Sequence, residues 1–128
     1  VTLINTMTGS TLDPAGVKLK FDVLPTQIVD WLALVGDASD NIPGVPKVGP
    51  KTAAKWLNQY GSLDALVARA GEVEGKVGES LREHLAQLEL SRRLATIRCD
   101  VELPLAVEGL ARRPPDVARL REIYARLE

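Results

Sequence analysis

Between residues 36 and 50 the chain carries six glycines and prolines: Gly36, Pro43, Gly44, Pro46, Gly49 and Pro50. No continuous helix or strand survives such a density, because proline removes a backbone donor and glycine costs a helix about 1 kcal/mol. The chain must turn here. Before the segment, Pro25 suits a first helical position, and Ile28, Trp31, Leu32 and Val35 follow at the i, i+3, i+4, i+7 spacing of one buried face. That helix should stop near Gly36. After the segment, Pro50 opens a second helix with Ala53, Trp56, Leu57 and Tyr60 on one face and Gly61 at its end.

The remaining sequence reads as helix joined to a small β element. Val1 to Met7 is rich in β-branched residues and is followed by Thr8-Gly9-Ser10 and Thr11-Leu12-Asp13, the pattern of a strand, a tight turn and a returning strand. A lone hairpin is marginal in water, so these strands expect a sheet or helices beside them. Ser62 reads as the N-cap of a short helix carrying Leu63, Leu66 and Val67 and closed by Gly71. Glu72 to Gly78 reads as a polar loop, and Glu79 to Ala95 as one longer helix with Leu81, Leu85, Leu88 and Ala95 along a stripe. Ile97 to Leu105 alternates enough to be extended. Pro114-Pro115 then introduce a last helix with Val117, Leu120, Ile123, Tyr124 and Leu127 inward.

Composition narrows the class. With 128 residues, 45% hydrophobic and 26% charged, the chain has enough apolar material for one ordinary domain and lacks the composition of a disordered or collagen-like protein. No apolar run is long enough for a membrane span or a signal-peptide core. The single cysteine, Cys99, has no internal disulfide partner, which points to a cytoplasmic, reducing compartment, and it reads as a small buried apolar residue. Sixteen basic against 17 acidic residues exclude a uniformly basic surface. Val rather than Met at position 1 is read as the mark of a piece of something longer.

Two devices share the segment from Gly36 to Ala53. Asp37 and Asp40 are spaced i, i+3, and on one retained helical turn their carboxylates would share a face, where a hard divalent cation relieves their repulsion. Alternatively they cap the next turn through side-chain to backbone hydrogen bonds, and spacing alone favours the caps. The second device is the glycine-bracketed loop Gly44-Val45-Pro46-Lys47-Val48-Gly49 leading into a helix N-terminus, where unpaired amides and the helix dipole suit a phosphate. Lys47, Lys51 and Lys55 recur every fourth residue, and no acidic residue stands between Asn41 and Gln59. That local charge favours a nucleic-acid backbone. The competing reading is a tight helical hairpin with solvated lysines, and the pattern does not choose between them.

His84, Trp31, Trp56 and the arginine pairs need no chemistry. His84 lacks a second ligand nearby and reads as a boundary residue, and both tryptophans lie on apolar helix faces and read as core. Arg92-Arg93 and Arg112-Arg113 either extend a basic track or are simply solvated.

The order of these devices, Gly36-Asp37-x-Ser39-Asp40-Asn41-Ile42-Pro43-Gly44-Val45 with the strand before and the helices after, resembles the 5′-nuclease family: the 5′ to 3′ exonuclease domain of bacterial DNA polymerase I and the related flap endonucleases. The resemblance runs over essentially the whole chain, from Thr2-Leu3-Ile4-Asn5-Thr6-Met7 to Leu94-Ala95-Thr96-Ile97-Arg98-Cys99-Asp100-Val101-Glu102-Leu103. It implies a mainly α, helix-hairpin-helix (SAM-like) C-terminal subdomain of the nuclease, with residues 1–22 as edge strands of a catalytic α/β portion and 23–128 as the helical DNA-binding part. It further implies hydrolysis of phosphodiesters at 5′ flaps and primers in replication and repair, with Mg2+ or Mn2+ as cofactor. Asp37 and Asp40 are carried over as catalytic metal ligands. Gly44, Val45, Val48, Gly49, Lys51 and Thr52 are carried over as DNA-backbone contacts, joined by Lys47 and Lys55 on charge, with a K+ ion at the hairpin. The implied partner is duplex DNA with a 5′ flap or nick, met by a monomer in the bacterial nucleoid.

Two departures qualify the resemblance. The family often has glycine where this chain has Lys47; a positive φ there would strain lysine by about 1 kcal/mol, whereas a negative φ would make it a phosphate contact. Two aspartates also fall short of the two-metal set usual in phosphodiester hydrolysis. The remaining ligands are expected before Val1, the fragment alone is expected to be inactive, and a polymerase domain after Glu128 is left open.

Overall fold

The computed structural model describes residues 2–110 and 114–127, and divides them into two compact units, Val1–Ile97 and Arg98–Glu128. The described residues form a mainly helical fold with a small N-terminal antiparallel sheet, as the sequence predicts, and a second small antiparallel sheet that it does not anticipate.

In the first unit, β1 (Leu3–Ile4) pairs with β2 (Thr11–Leu12), Leu3 opposite Leu12 and Ile4 opposite Thr11. The expected hairpin therefore forms. The Asn5 Oδ1 holds its turn by accepting the Met7 and Thr8 amides at 2.9 and 3.1 Å. A helix that sequence analysis does not anticipate follows at once, α1 (Pro14–Phe21). Its apolar residues form no stripe, but its caps are legible: the Asp13 carboxylate accepts the Gly16 amide at 2.7 Å, and Asp22 ends the helix at φ 57°.

Packed helices supply most of the core. A 3-10 turn, Pro25–Gln27, leads into α2 (Ile28–Val35), which packs against α3 (Pro50–Tyr60) and α6 (Leu85–Ala95), while α4 (Leu63–Ala68) packs on α3. α3 begins and ends where predicted, with Ala53, Trp56 and Leu57 buried. On α2 the predicted stripe is displaced: Ile28, Trp31, Leu32 and Val35 are half-buried, whereas Asp30, Ala33 and Leu34 are buried. Every α2 residue except Asp30 is apolar, so no single stripe stands out, and the helix buries two sides against two neighbours. Leu34, Leu57, Leu66, Leu81 and Leu88 are fully enclosed. Each contributes roughly 1.5–3 kcal/mol by leaving water.

One polar clasp crosses this core. The Asp30 Oδ2 accepts the Leu63 amide at 2.9 Å, and its Oδ1 meets Arg92 Nε at 3.1 Å. Arg92 also forms a two-pronged pair with Asp64, Nη1 to Oδ1 at 2.6 Å, and this guanidinium holds the Asp64 carboxyl below the usual carboxylate range. Arg92 thus joins α2, α4 and α6 instead of extending a basic track. His84 is a boundary residue as read, its Nδ1 2.8 Å from the Ser80 carbonyl.

Between α4 and α6 the sequence reading is corrected. The stretch 72–78 is not all loop, and 79–95 is not one helix: α5 runs Gly75–Glu83, and the chain breaks at His84 (φ −113°, ψ 19°) before α6. Gly75, at φ 74°, turns the chain, and a Cβ at Gly78 would overlap the Val73 carbonyl. The two glycines that mark a loop by composition are here a turn and a close approach.

The expected extended segment at 97–105 forms no strand, and within it Arg98 pairs with Asp100 at 3.1 Å. α7 (Val117–Leu127) is capped by the Asp116 carboxylate on the Arg119 amide at 2.9 Å. Its apolar residues Val117, Leu120, Ile123, Tyr124 and Leu127 are exposed instead of inward, and Cys99 is likewise exposed instead of buried. Among the described residues of the second unit, no side chain whose burial is described is enclosed. Arg112 and Arg113 lie outside the described residues. No helix among the described residues is long and apolar enough to cross a membrane.

The contact at Gly78 sets a sign that propensity alone would get wrong. Alanine is normally about 1 kcal/mol better than glycine inside a helix. Here Gly78→Ala should destabilise by about 1–3 kcal/mol because the methyl meets backbone that cannot give way, as chemical denaturation of the variant will show.

Candidate nucleic-acid interface

The end of α2 shapes the site. Gly36 leaves the helix at φ 82° and opens β3 (Gly36–Asp37), which pairs with β4 (Ile42–Pro43), Gly36 opposite Pro43 and Asp37 opposite Ile42. The retained helical turn that would set Asp37 and Asp40 on one face is therefore absent. A side chain at Gly36 would come within 2.7 Å of the Ile42 carbonyl oxygen, so only glycine lets the strands close. The Asp37 Oδ1 accepts the Ser39 amide at 2.8 Å, an Asx turn, and Asn41 takes φ 53° to complete the reversal. Asp37 ends up half-buried on a strand and Asp40 exposed in the turn.

No group of three or more His, Cys, Asp or Glu side chains suited to a metal occurs among the described residues. Asp37 and Asp40 are thus two carboxylates on one small hairpin, a number within the one or two protein carboxylates that a hydrated Mg2+ typically takes. They do not fit a two-metal set.

Beyond the hairpin, the loop is docked tightly. A Cβ at Gly44 would overlap the Val35 carbonyl, and the Val45 amide donates to the Leu34 carbonyl at 2.9 Å. The Val48 amide donates to Val45 O at 3.0 Å, closing a four-residue turn with Pro46 second and Lys47, at φ 68°, third. Val45 and Val48 bury their side chains. The two open outcomes for Lys47 are thereby decided in favour of the strained one. It is also exposed, so its ammonium remains available.

The surface that remains lies on the following turn. Gly49 is the N-cap of α3, and a Cβ there would meet nothing within 4 Å, so no packing contact requires glycine at this position. The Lys51 and Thr52 amides occupy the first turn, where a helix has no carbonyl of its own to offer them. Lys47, Lys51 and Lys55 are exposed, and among the described residues none of them enters an ion pair. Gly44, Val45 and Val48 hold this surface in place from behind. Trp56 is core as read, whereas Trp31 is only half-buried: its indole donates to Pro50 O at 3.3 Å, and it lines a cleft of about 720 Å³ with Phe21, Lys20 and Lys51.

Two contributors escape sequence reasoning. The Ser80 hydroxyl of α5 donates to the Pro46 carbonyl at 2.7 Å, and the Ser91 hydroxyl of α6 donates to the Pro43 carbonyl. Both serines are buried, and neither lies in a motif that would single it out.

Residues 23–118 match the family model described as "5'-3' exonuclease, C-terminal SAM fold". The chain belongs to this family. Among curated relatives, the DNA polymerase I of Pseudomonas aeruginosa is 46% identical over 136 residues, spanning 100% of the chain and 15% of the relative. That of Mycobacterium leprae is 46% identical over 115 residues, 90% of the chain and 13% of the relative. The thermostable DNA polymerase I of Thermus aquaticus is 42% identical over 120 residues, 94% and 14%. The chain thus spans about one seventh of the length of these relatives. For the exonuclease C-terminal family the match begins at Val23, so it takes in the hairpin, the loop and every core helix described above.

The left-handed backbone at Lys47 yields a direct test. Lys47→Gly should stabilise the chain by about 1 kcal/mol by removing the strain, raising the melting temperature by a few degrees. The same variant should weaken binding to a polyanion, so calorimetric stability and affinity should move in opposite directions.

Proposed function

We propose that this chain is the DNA-gripping and metal-presenting part of a 5′ to 3′ exonuclease and flap endonuclease within a DNA polymerase I, acting at 5′ flaps and primers in replication and repair. The observation that carries the reading is the exposed series Lys47, Lys51 and Lys55, which runs from the docked loop along α3 with no acidic partner among the described residues. Each lysine neutralises one phosphate and releases its counterions, giving binding without sequence preference. The Gly49 N-cap and the Lys51 and Thr52 amides take one phosphate at the helix end, where the dipole favours an anion. Gly44, Val45 and Val48 serve by holding that end in position. A K+ ion at the hairpin would rest on loop carbonyls, where oxygens that already accept one hydrogen bond keep a second lone pair.

Asp37 and Asp40 would hold one Mg2+ or Mn2+ ion, which supplies Lewis-acid stabilisation of charge on the scissile phosphate when bound. This chain's own residues orient the duplex so that its backbone passes the hairpin. Further acidic ligands come from elsewhere in the nuclease, the partner is a duplex with a 5′ flap or nick, and the chain works as a monomer. A second reading has support in the Asp37–Ser39 hydrogen bond: a non-catalytic duplex-binding module in which Asp37 only shapes the turn.

Lys51→Ala with Lys55→Ala should lower the salt slope of duplex binding by about 2 and weaken affinity alike for unrelated sequences. An unchanged slope contradicts the DNA reading. In the longer polymerase I carrying this segment, Asp37→Ala with Asp40→Ala should abolish Mg2+-dependent flap cleavage while leaving folding and duplex affinity intact. Retained cleavage favours the binding-module reading.

A further inference from the structure

The loop that presents the lysines has almost no regular structure of its own. Apart from the Val48 to Val45 turn, its contacts run outward to three helices. From α2 comes the Leu34 carbonyl on the Val45 amide, with Gly44 packed on Val35. From α5 comes the Ser80 hydroxyl on Pro46 O, and from α6 the Ser91 hydroxyl on Pro43 O. Ser80 and Ser91 are 4% and 0% exposed, the only serines that reach into the core among the described residues, and their hydroxyls hold the two proline carbonyls on either side of Gly44-Val45.

Proline makes these two anchors decisive. Pro43 and Pro46 have no amide to donate, so the carbonyl is the one backbone group through which each can be held. Pro46 is also the second residue of the turn that sets Lys47, so the direction of its carbonyl fixes the peptide plane that starts Lys47. A hydroxyl that pulls Pro46 O toward α5 therefore selects the turn that places Lys47 at φ 68° and delivers Gly49 to the start of α3. We infer that Ser80 and Ser91 are positioning residues of the nucleic-acid surface: they touch no phosphate, but their hydroxyls set the loop conformation on which the Lys47, Gly49, Lys51 and Thr52 groups depend. The inference rests on the DNA-contact reading for its functional consequence and on the loop geometry for its structural one.

The test measures those two consequences separately. Ser80→Ala and Ser91→Ala are compared with Ser80→Thr, which keeps the hydroxyl, and with the Lys51→Ala, Lys55→Ala pair, using duplex DNA of random sequence in low salt well below the melting temperature. Loss of one charge-assisted contact predicts about tenfold weaker binding by each folded alanine variant, with recovery in Ser80→Thr. Amide chemical shifts of Lys47, Gly49, Lys51 and Thr52, read without DNA, should move in Ser80→Ala and return in Ser80→Thr. Native shifts in a folded Ser80→Ala overturn the positioning role, as does native affinity in that variant when the lysine pair weakens binding. Moved shifts together with a lysine pair that binds normally uphold the positioning of the loop and defeat the DNA reading instead. Should Ser91→Ala fail to fold, Ser80→Ala decides alone.

Discussion

The backbone of Gly44 lies against the carbonyl of Val35 with no room for a methyl group, and the next amide, on Val45, is donated to Leu34. This contact turns the last residues of α2 into a platform for the loop. It continues the β3–β4 pairing beyond Gly36 and Pro43, so the chain returns across the helix end before starting α3. Because α3 carries Trp56 and Leu57 into the core opposite Leu34, the same contact also fixes where the α3 N-terminus emerges. Stability and presentation of the surface are therefore one problem, solved at a single backbone crossing.

The charges follow the same division between what is held and what is offered. Asp30 is buried yet fully engaged, accepting the Leu63 amide and meeting Arg92, so its charge serves the packing of three helices. Removing Arg92 is costly because the buried Asp30 carboxylate is left uncompensated. The lysines at 47, 51 and 55 are the reverse case, exposed and without ion pairs among the described residues, which leaves their charge available to an external polyanion. A chain with a formal net charge of −1 can present a basic track because its cations are sorted by what they face.

The elements that could be read from sequence are those whose cues are local. α3 follows from Pro50, its apolar spacing and Gly61; α4 follows from Ser62, whose hydroxyl accepts the Ala65 amide. What escaped depends on contacts that composition and spacing do not show. The stripe on α2 was hidden because a nearly all-apolar helix has no preferred face until its neighbours are in place. The start of α5 at Gly75 goes with Gly78 nesting against Val73, in a stretch that composition presents as loop. At the site, the lysine series and the glycine bracket were legible as a pattern. The strand geometry of Asp37 was not, since an i, i+3 spacing is silent about whether the backbone between is helical. Ser80 and Ser91 could not be found at all, because a buried serine's value lies in a carbonyl 34 or 48 residues away.

The crossing of the loop over α2 is most directly measured by hydrogen exchange at the Val45 amide. Its bond to Leu34 O at 2.9 Å, backed by Gly44 on Val35, should make it open only with the core. Exchange as slow as that of the α3 amides of Ala54 and Leu57 is the expected result. Exchange at the rate of an unstructured loop, with α3 still protected, would contradict the claim that this contact fixes the loop.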